Sequence, residues 1–519
     1  MTAAPWHRGP AAAAATFLIA SLALVLLRPL LPVDETRYLA VAWEMWNGGS
    51  KIVPHLNGEI YSHKPPLLFW IINLVWSVTG VTELGGRLVG PVAGAAAVLL
   101  TARLARELWP EAPERAGRAA WVLATTGVFL AYGSATMFDT LLTLATLTAL
   151  LAIWSLARRT SVTAILWLGA GLAFGVLAKG PVILIHVLPV AVALPLWRGS
   201  QPGVPGAAFA RAFGLAVLVA LALVALWLVP ALIFGDPAYR SDILWRQSAG
   251  RMITSFAHDR PFWFFLALMP VFLWPWGWRW PAPGTLRRRW SPQARFLAVW
   301  AGGALLAVSL ISGKQIHYLV PELPALALLL SGTAATVPAR WFRLVPLAPA
   351  MLLLAAGALA ATGLLSPALL GGTTVGAVEL ALAGVVTGTA LVIVWTARSS
   401  LAAIAVVAPA TLLVVHLLAF QTLWQANNPN HLAPLLAAHA TAGVATTDTN
   451  HAGQFSFSAR LTVPVRILRD PAALSGWTAT RPGSLVLSKT KLDGPAFALL
   501  REVDLHGDRW FAYRVATGS

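Results

Sequence analysis

The chain contains no cysteine, and only 11% of its 519 residues are Asp, Glu, Lys or Arg. The first absence excludes a disulfide framework and a thiolate metal site. The second stands beside 58% hydrophobic residues and a mean hydropathy of +0.71. That combination excludes a soluble globule and, for most of the length, disorder. Acids are scarcer than bases, 20 against 37, so the formal net charge is +17. Membrane proteins gather Lys and Arg in cytoplasmic loops, and the excess is read as orientation. No nucleic-acid partner is expected, since no soluble module carries a basic stripe. The sequence has no Gly-rich phosphate loop ending in Lys-Ser/Thr, no Gly-x-Ser-x-Gly and no His-Glu-x-x-His. Internal repeats and low-complexity linkers are absent too.

What is present is a series of hydrophobic runs. Thirteen are long enough to span a bilayer, which takes about 20 residues at 1.5 Å rise. The first covers about 11–31 and reads as an anchor. The others lie near 85–108, 119–134, 136–157, 163–178, 180–197, 208–234, 262–278, 296–312, 319–337, 344–363, 374–396 and 400–421. A further apolar run, 66–79, suits a helix lying on the membrane, as does 36–47. With the N-terminus cytoplasmic, this count puts Arg158, Arg159 and the Arg287-Arg288-Arg289 cluster inside. The fold class expected is an α-helical polytopic membrane protein with 1–421 as the transmembrane domain. Two outer loops, 32–84 and 235–261, interrupt it. Residues 422–519 alternate apolar with polar, with strands expected at 461–468, 484–488 and 510–515. They form a small α/β domain outside the membrane.

This topology brings Asp34, Lys64, Asp139, Lys179, Arg251, Lys314 and His317 to one face. Ionisable groups at a membrane boundary are candidate functional residues. Asp34 is either a helix N-cap or a general base. Glu35 suits the first turn of a helix. Lys64 precedes Pro65-Pro66, which suit a helix start, yet a cation there opposes the helix dipole and points to an anion. Tyr61 and His63 flank it. Asp139 reads as an N-cap or as part of the site. Lys179-Gly180-Pro181 is what a helix end wants, and Gly313-Lys314-Gln315-Ile316-His317-Tyr318 is equally ambiguous.

In combination these motifs resemble a known family. They are an Asp-Glu pair after the first run, Tyr-x-x-Lys-Pro-Pro-Leu at 61–67, Asp139 after the third run, Lys-Gly-Pro at 179–181 and Arg-Pro-Phe-Trp at 260–263. Their order and spacing resemble the bacterial GT-C glycosyltransferases over most of 30–325. The lipid A aminoarabinose transferases resemble it most, with protein O-mannosyltransferases as wider relatives. The resemblance implies a polyprenyl-phosphate-sugar donor and an extracytoplasmic acceptor. It makes Asp34 the catalytic carboxylate. Tyr61, Lys64, Lys179 and Arg251 surround the donor phosphate, and Glu35, Asp139, His317 and Tyr318 support the pocket. The aminoarabinose transferases resemble Tyr-Phe-Glu-Lys-Pro-Pro where this chain has Tyr-Ser-His-Lys-Pro-Pro, so the candidate ligand for a divalent metal here is His63.

The resulting expectation is an enzyme of the bacterial inner membrane with its active site on the periplasmic side. Its acceptor is lipid A or another envelope glycan. A protein Ser/Thr acceptor is the alternative. A transporter of lipid-linked sugars is the non-enzymatic reading, and the placing of charge at span ends argues against it.

Overall fold

The structure is a computed structural model that describes residues 9–244, 259–278, 290–332, 340–366, 375–451, 453–505 and 507–516. Among them are eight helices long and apolar enough to cross a membrane, including Asp139–Arg158, Val162–Val192, Gly206–Phe234 and Pro292–Leu310. Three shorter apolar helices are Pro10–Leu26, Leu67–Thr79 and Ile316–Leu330. The thirteen runs therefore do not map one to one onto long helices. Run 119–134 is split into Glu114–Ala124 and Gly127–Gly133. At the split, the hydroxyls of Thr125 and Thr126 bond back to the carbonyls of Trp121 (2.6 Å) and Val122 (2.7 Å), competing with the helix ladder. Run 262–278 is cut into Phe264–Ala267 and Met269–Leu273, with Pro261 before the first, Pro270 in the first turn of the second and Pro275 after it. Runs 163–178 and 180–197 join through a 3-10 turn, Gly180–Val182.

The helices pack through small residues. A side chain at Gly171 would meet the Ala149 amide at 2.9 Å, so glycine there lets Val162–Lys179 lie directly on Asp139–Arg158. Gly206–Phe234 buries Phe209, Ala212, Ala216, Ala220, Val224, Trp227 and Ala231, a stripe at spacings of three and four. Its other face is exposed Leu and Val, as suits a lipid-facing helix. Tertiary hydrogen bonds mark two ends of the bundle. At one, Arg28 donates to the Ser134 carbonyl at 3.0 Å. At the other, Trp154 donates to the Glu107 carbonyl and Arg343 to that of Ala397.

The first long loop supplies helices Asp34–Trp46 and Leu67–Thr79, where the two juxtamembrane helices were expected. Between them His55–Leu56 (β1) and Glu59–Ile60 (β2) form a hairpin. Leu67–Thr79 turns Leu68, Phe69, Ile72 and Trp76 inward. Thirteen residues rise about 20 Å, short of the ~30 Å hydrocarbon core.

The C-terminal residues form a five-stranded mixed sheet. Its strands are Val444–Thr446 (β3), Arg466–Ile467 (β4), Leu485–Ser488 (β5), Phe497–Leu505 (β6) and Asp508–Val515 (β7), in the order β4-β3-β5-β7-β6. Of the expected strand 461–468 only β4 pairs. Pro464 cannot donate to a ladder, and residues 457–465 are used for docking instead. The Trp43 indole donates to the Leu461 carbonyl at 2.7 Å, and Phe457 stacks on Trp76 with ring centres 5.4 Å apart.

Candidate active site

At the Arg28 end of the bundle, side chains from five segments converge on Phe138 and Asp139. Asp34 is the first residue of its helix, but its side chain makes no capping bond. It accepts from the Tyr38 hydroxyl at 2.8 Å, has Arg37 at 3.9 Å, and is 46% exposed. Burial first, then the charge of Asp34, raise the Tyr38 pKa well above its ordinary value, so the hydroxyl stays a donor. Tyr38 packs edge-on against Phe138 at 4.8 Å. Lys64 lies over the other side of the site, its ammonium 5.7 Å from the Phe138 ring centre.

Asp139 opens its helix without capping it, and is 1% exposed. Its Oδ1 accepts from Lys179 at 2.6 Å, while Oδ2 is buried with no hydrogen-bond partner among the described residues. Lys64 and His317 both lie within electrostatic reach of it. Lys179 ends helix Val162–Lys179, as the Lys-Gly-Pro order predicts, and also sits 5.4 Å over the Tyr318 ring. The buried His317 ring is 4.9 Å from Tyr318 and 5.8 Å from Tyr132. Tyr61 is buried against Phe69 and His63, with ring centres 6.1 and 5.2 Å away.

Structure thus brings together Asp34, Tyr61, Lys64, Asp139, Lys179, His317 and Tyr318. Arg251 lies outside the described residues. Glu35 faces away from the open part of the site. It is buried in an ion pair with Arg28, and accepts from the amides of Leu31 (3.0 Å) and Thr136 (2.7 Å). Burial raises its pKa, but Arg28 and Arg87 outweigh that and bring it down to about 2. His63 has a ring neighbour, and among the described residues no group of three or more His, Asp or Glu could hold a metal ion. Lys314, grouped with the site by topology, donates to the Arg260 carbonyl at 2.8 Å and ties down the second loop.

Several participants carried no sequence signal. Tyr38 and Phe138 look like ordinary apolar positions. Ser62 donates to Asp242 at 2.7 Å and joins the two long loops. His186 and Glu322, 1% and 2% exposed, share a 2.6 Å hydrogen bond in the bundle interior.

Comparison with known proteins bears on this arrangement. ArnT from Cupriavidus metallidurans bound to undecaprenyl phosphate superimposes with a TM-score of 0.77 at 18% identity, over 98% of this chain and 99% of that one. The fold is that of ArnT. Its apo state gives 0.74 at 17% identity, over 97% and 98% of the two chains. In sequence, the undecaprenyl phosphate-alpha-4-amino-4-deoxy-L-arabinose arabinosyl transferase of Pseudomonas paraeruginosa is 34% identical over 309 residues, 57% of this chain and 54% of that protein. The transferase of the same name in Aeromonas salmonicida is 28% identical over 319 residues, 59% and 56%. The chain spans about half the length of the curated relatives it matches. A family model described as dolichyl-phosphate-mannose-protein mannosyltransferase matches residues 63–201. The resemblance to GT-C glycosyltransferases, aminoarabinose transferases among them, is borne out in sequence and in fold. The ArnT fold also accounts for the helical membrane body with a small C-terminal sheet.

Proposed function

We propose that the chain is a membrane glycosyltransferase that moves a sugar from a polyprenyl-phosphate donor to an acceptor at the membrane surface, lipid A or another envelope glycolipid. The observation that carries this reading is the juxtaposition of Lys64 and Lys179 beside a half-exposed Asp34, at one end of a bundle with the ArnT fold. The donor's phosphate is the leaving group. Lys64 and Lys179 neutralise the charge that grows on it, with Arg251 as a third cation from the second loop. Tyr61 packs against His63 and Phe69 at the edge of the pocket, and Asp139 holds Lys179 in place. Asp34 takes the proton of the acceptor hydroxyl as that oxygen attacks the anomeric carbon from the opposite face. The sugar–phosphate bond breaks and the configuration inverts. Tyr38 orients the carboxylate.

With Arg158 and Arg159 at the cytoplasmic end, the site lies on the periplasmic side of the bacterial inner membrane, and residues 422–519 cover it as an outer domain. Mass spectrometry of envelope lipids and proteins from a strain lacking this chain tests the reading. Loss of a sugar from lipid A or another glycolipid is expected. Loss from protein Ser/Thr alone would replace the acceptor, and an unchanged envelope would overturn the proposal.

A further inference from the structure

The first outer loop and the C-terminal domain enclose a cleft of about 730 Å³. One wall is the turn Asn57–Glu59 of the β1–β2 hairpin. The other is built from β4, the edge strand of the sheet, and helix Pro471–Thr480. Three arginines line it, Arg466, Arg469 and Arg481, together with Trp477. Among the described residues neither Arg466 nor Arg469 takes part in an ion pair. Of the two acids in the lining, Asp470 is engaged as the helix cap, accepting from the Ala473 amide at 2.7 Å. Guanidinium groups left without carboxylates, on adjoining elements facing one cleft, suit bidentate recognition of phosphate.

The aromatic wall is fixed. The Trp477 indole donates to Ser484 Oγ at 2.8 Å, and Arg481 lies 5.5 Å over its ring. Gly443 faces that ring with φ of +105°. A side chain there would come within 3.1 Å of the indole, so glycine keeps the space beside the ring open. The opposite wall is fixed too. Glu44 accepts from the amides of Asn57 and Gly58, and the Asn57 side chain clasps Val465, donating to its carbonyl (2.9 Å) and accepting from its amide (2.8 Å). Glu59 precedes Tyr61 by two residues, roughly 7 Å of extended backbone. One wall of the cleft is therefore continuous with the chain segment that enters the candidate site.

We propose that this cleft binds the phosphorylated saccharide headgroup of the acceptor glycolipid. Arg466 and Arg469 hold its phosphate, and Trp477, with Arg481 over its ring, forms the apolar part of the wall beside the sugar. The proposal rests on the glycosyltransferase reading above for the identity of the occupant. It assigns acceptor recognition to the C-terminal domain, away from the residues given to the donor.

Two measurements on the full-length protein in detergent test it. The first is hydrogen exchange over 463–481 with a phosphorylated glucosamine disaccharide as probe. Protection by the phosphorylated disaccharide and none by its dephosphorylated form is expected. Equal protection by both, or by neither, overturns the proposal. The second is transfer kinetics of an Arg466→Ser/Arg469→Ser variant. The KM for acceptor should rise roughly 10-fold or more, with kcat and undecaprenyl-phosphate binding unchanged. An unchanged acceptor KM, or a fall in kcat alone, overturns it. If no acceptor supports transfer by the unmodified protein, the glycosyltransferase reading fails, and the exchange measurement still decides whether the cleft binds phosphosugar.

Discussion

Lys179 donates to Asp139 at 2.6 Å, and the two lie on neighbouring helices that a glycine at 171 allows into contact. The bond leaves one Asp139 oxygen buried with no hydrogen-bond partner among the described residues, and it places the lysine over Tyr318. Removing either partner strands the other charge, which typically costs about 3–5 kcal/mol. The two cations of the site should therefore respond differently. Lys64→Ala should weaken undecaprenyl-phosphate binding with little change in thermal stability. Lys179→Ala should weaken binding and lower stability together. Binding isotherms and melting curves of the two variants check this; unchanged binding in both would reduce the cations to anchors.

Asp34→Asn separates chemistry from structure. Its carboxylate makes no helix-capping bond, and an Asn carbonyl still accepts from Tyr38. The variant should fold with normal stability and turn over about 10²-fold or more slowly, the usual scale for a lost general base. Wild-type turnover in the folded variant would remove Asp34 from the mechanism.

Glu35 predicts a pH dependence of stability. Its folded pKa is about 2, below the ordinary value of 4.5. A depressed carboxylate contributes stability that is full above its unfolded pKa and is lost as pH falls through the folded one. The contribution, on the order of 3 kcal/mol, should thus be present above about pH 5 and decline between pH 4.5 and 2. Glu35→Gln should flatten that limb of the acid-unfolding curve. An identical acid limb in the variant would count against the Arg28–Glu35 pair as its source.

His186 and Glu322 join helix Ile183–Val192 to the segment that carries His317 and Tyr318. His186→Ala or Glu322→Ala should each cost about 1–3 kcal/mol, the usual scale for leaving a buried polar group without its hydrogen-bond partner. A paired His186→Leu/Glu322→Leu replacement should recover most of it, because an apolar pair leaves no buried polar group unsatisfied. Thermal or denaturant unfolding of the three variants measures this, and additive losses in the double variant would contradict it.

The chain's residues made some of this legible and hid the rest for physical reasons. Hydropathy marks membrane runs because burial in lipid is a property of each segment alone. Asp34, Lys64, Asp139 and Lys179 stood out because charge is rare beside such runs. Both Asp residues also invited an N-cap reading, and neither caps: Tyr38 and Lys179, four and forty residues away, claim the carboxylates. Arg28 was concealed inside run 11–31, so Glu35 was assigned to the helix dipole and the site rather than to a buried pair. The His186–Glu322 bond spans 136 residues, and no local pattern announces it. Strands β3 and β6 escaped as well. The first is three residues long, and the second carries Arg501, Glu502 and Asp504 on a largely exposed edge.

The most direct test is release of free polyprenyl phosphate from a radiolabelled polyprenyl-phosphate sugar by the purified protein, with and without a lipid A acceptor. The account predicts release that depends on acceptor, with the label transferred to it in inverted configuration. Release without acceptor at the same rate, or none across a broad panel of glycolipid and peptide acceptors, would contradict it.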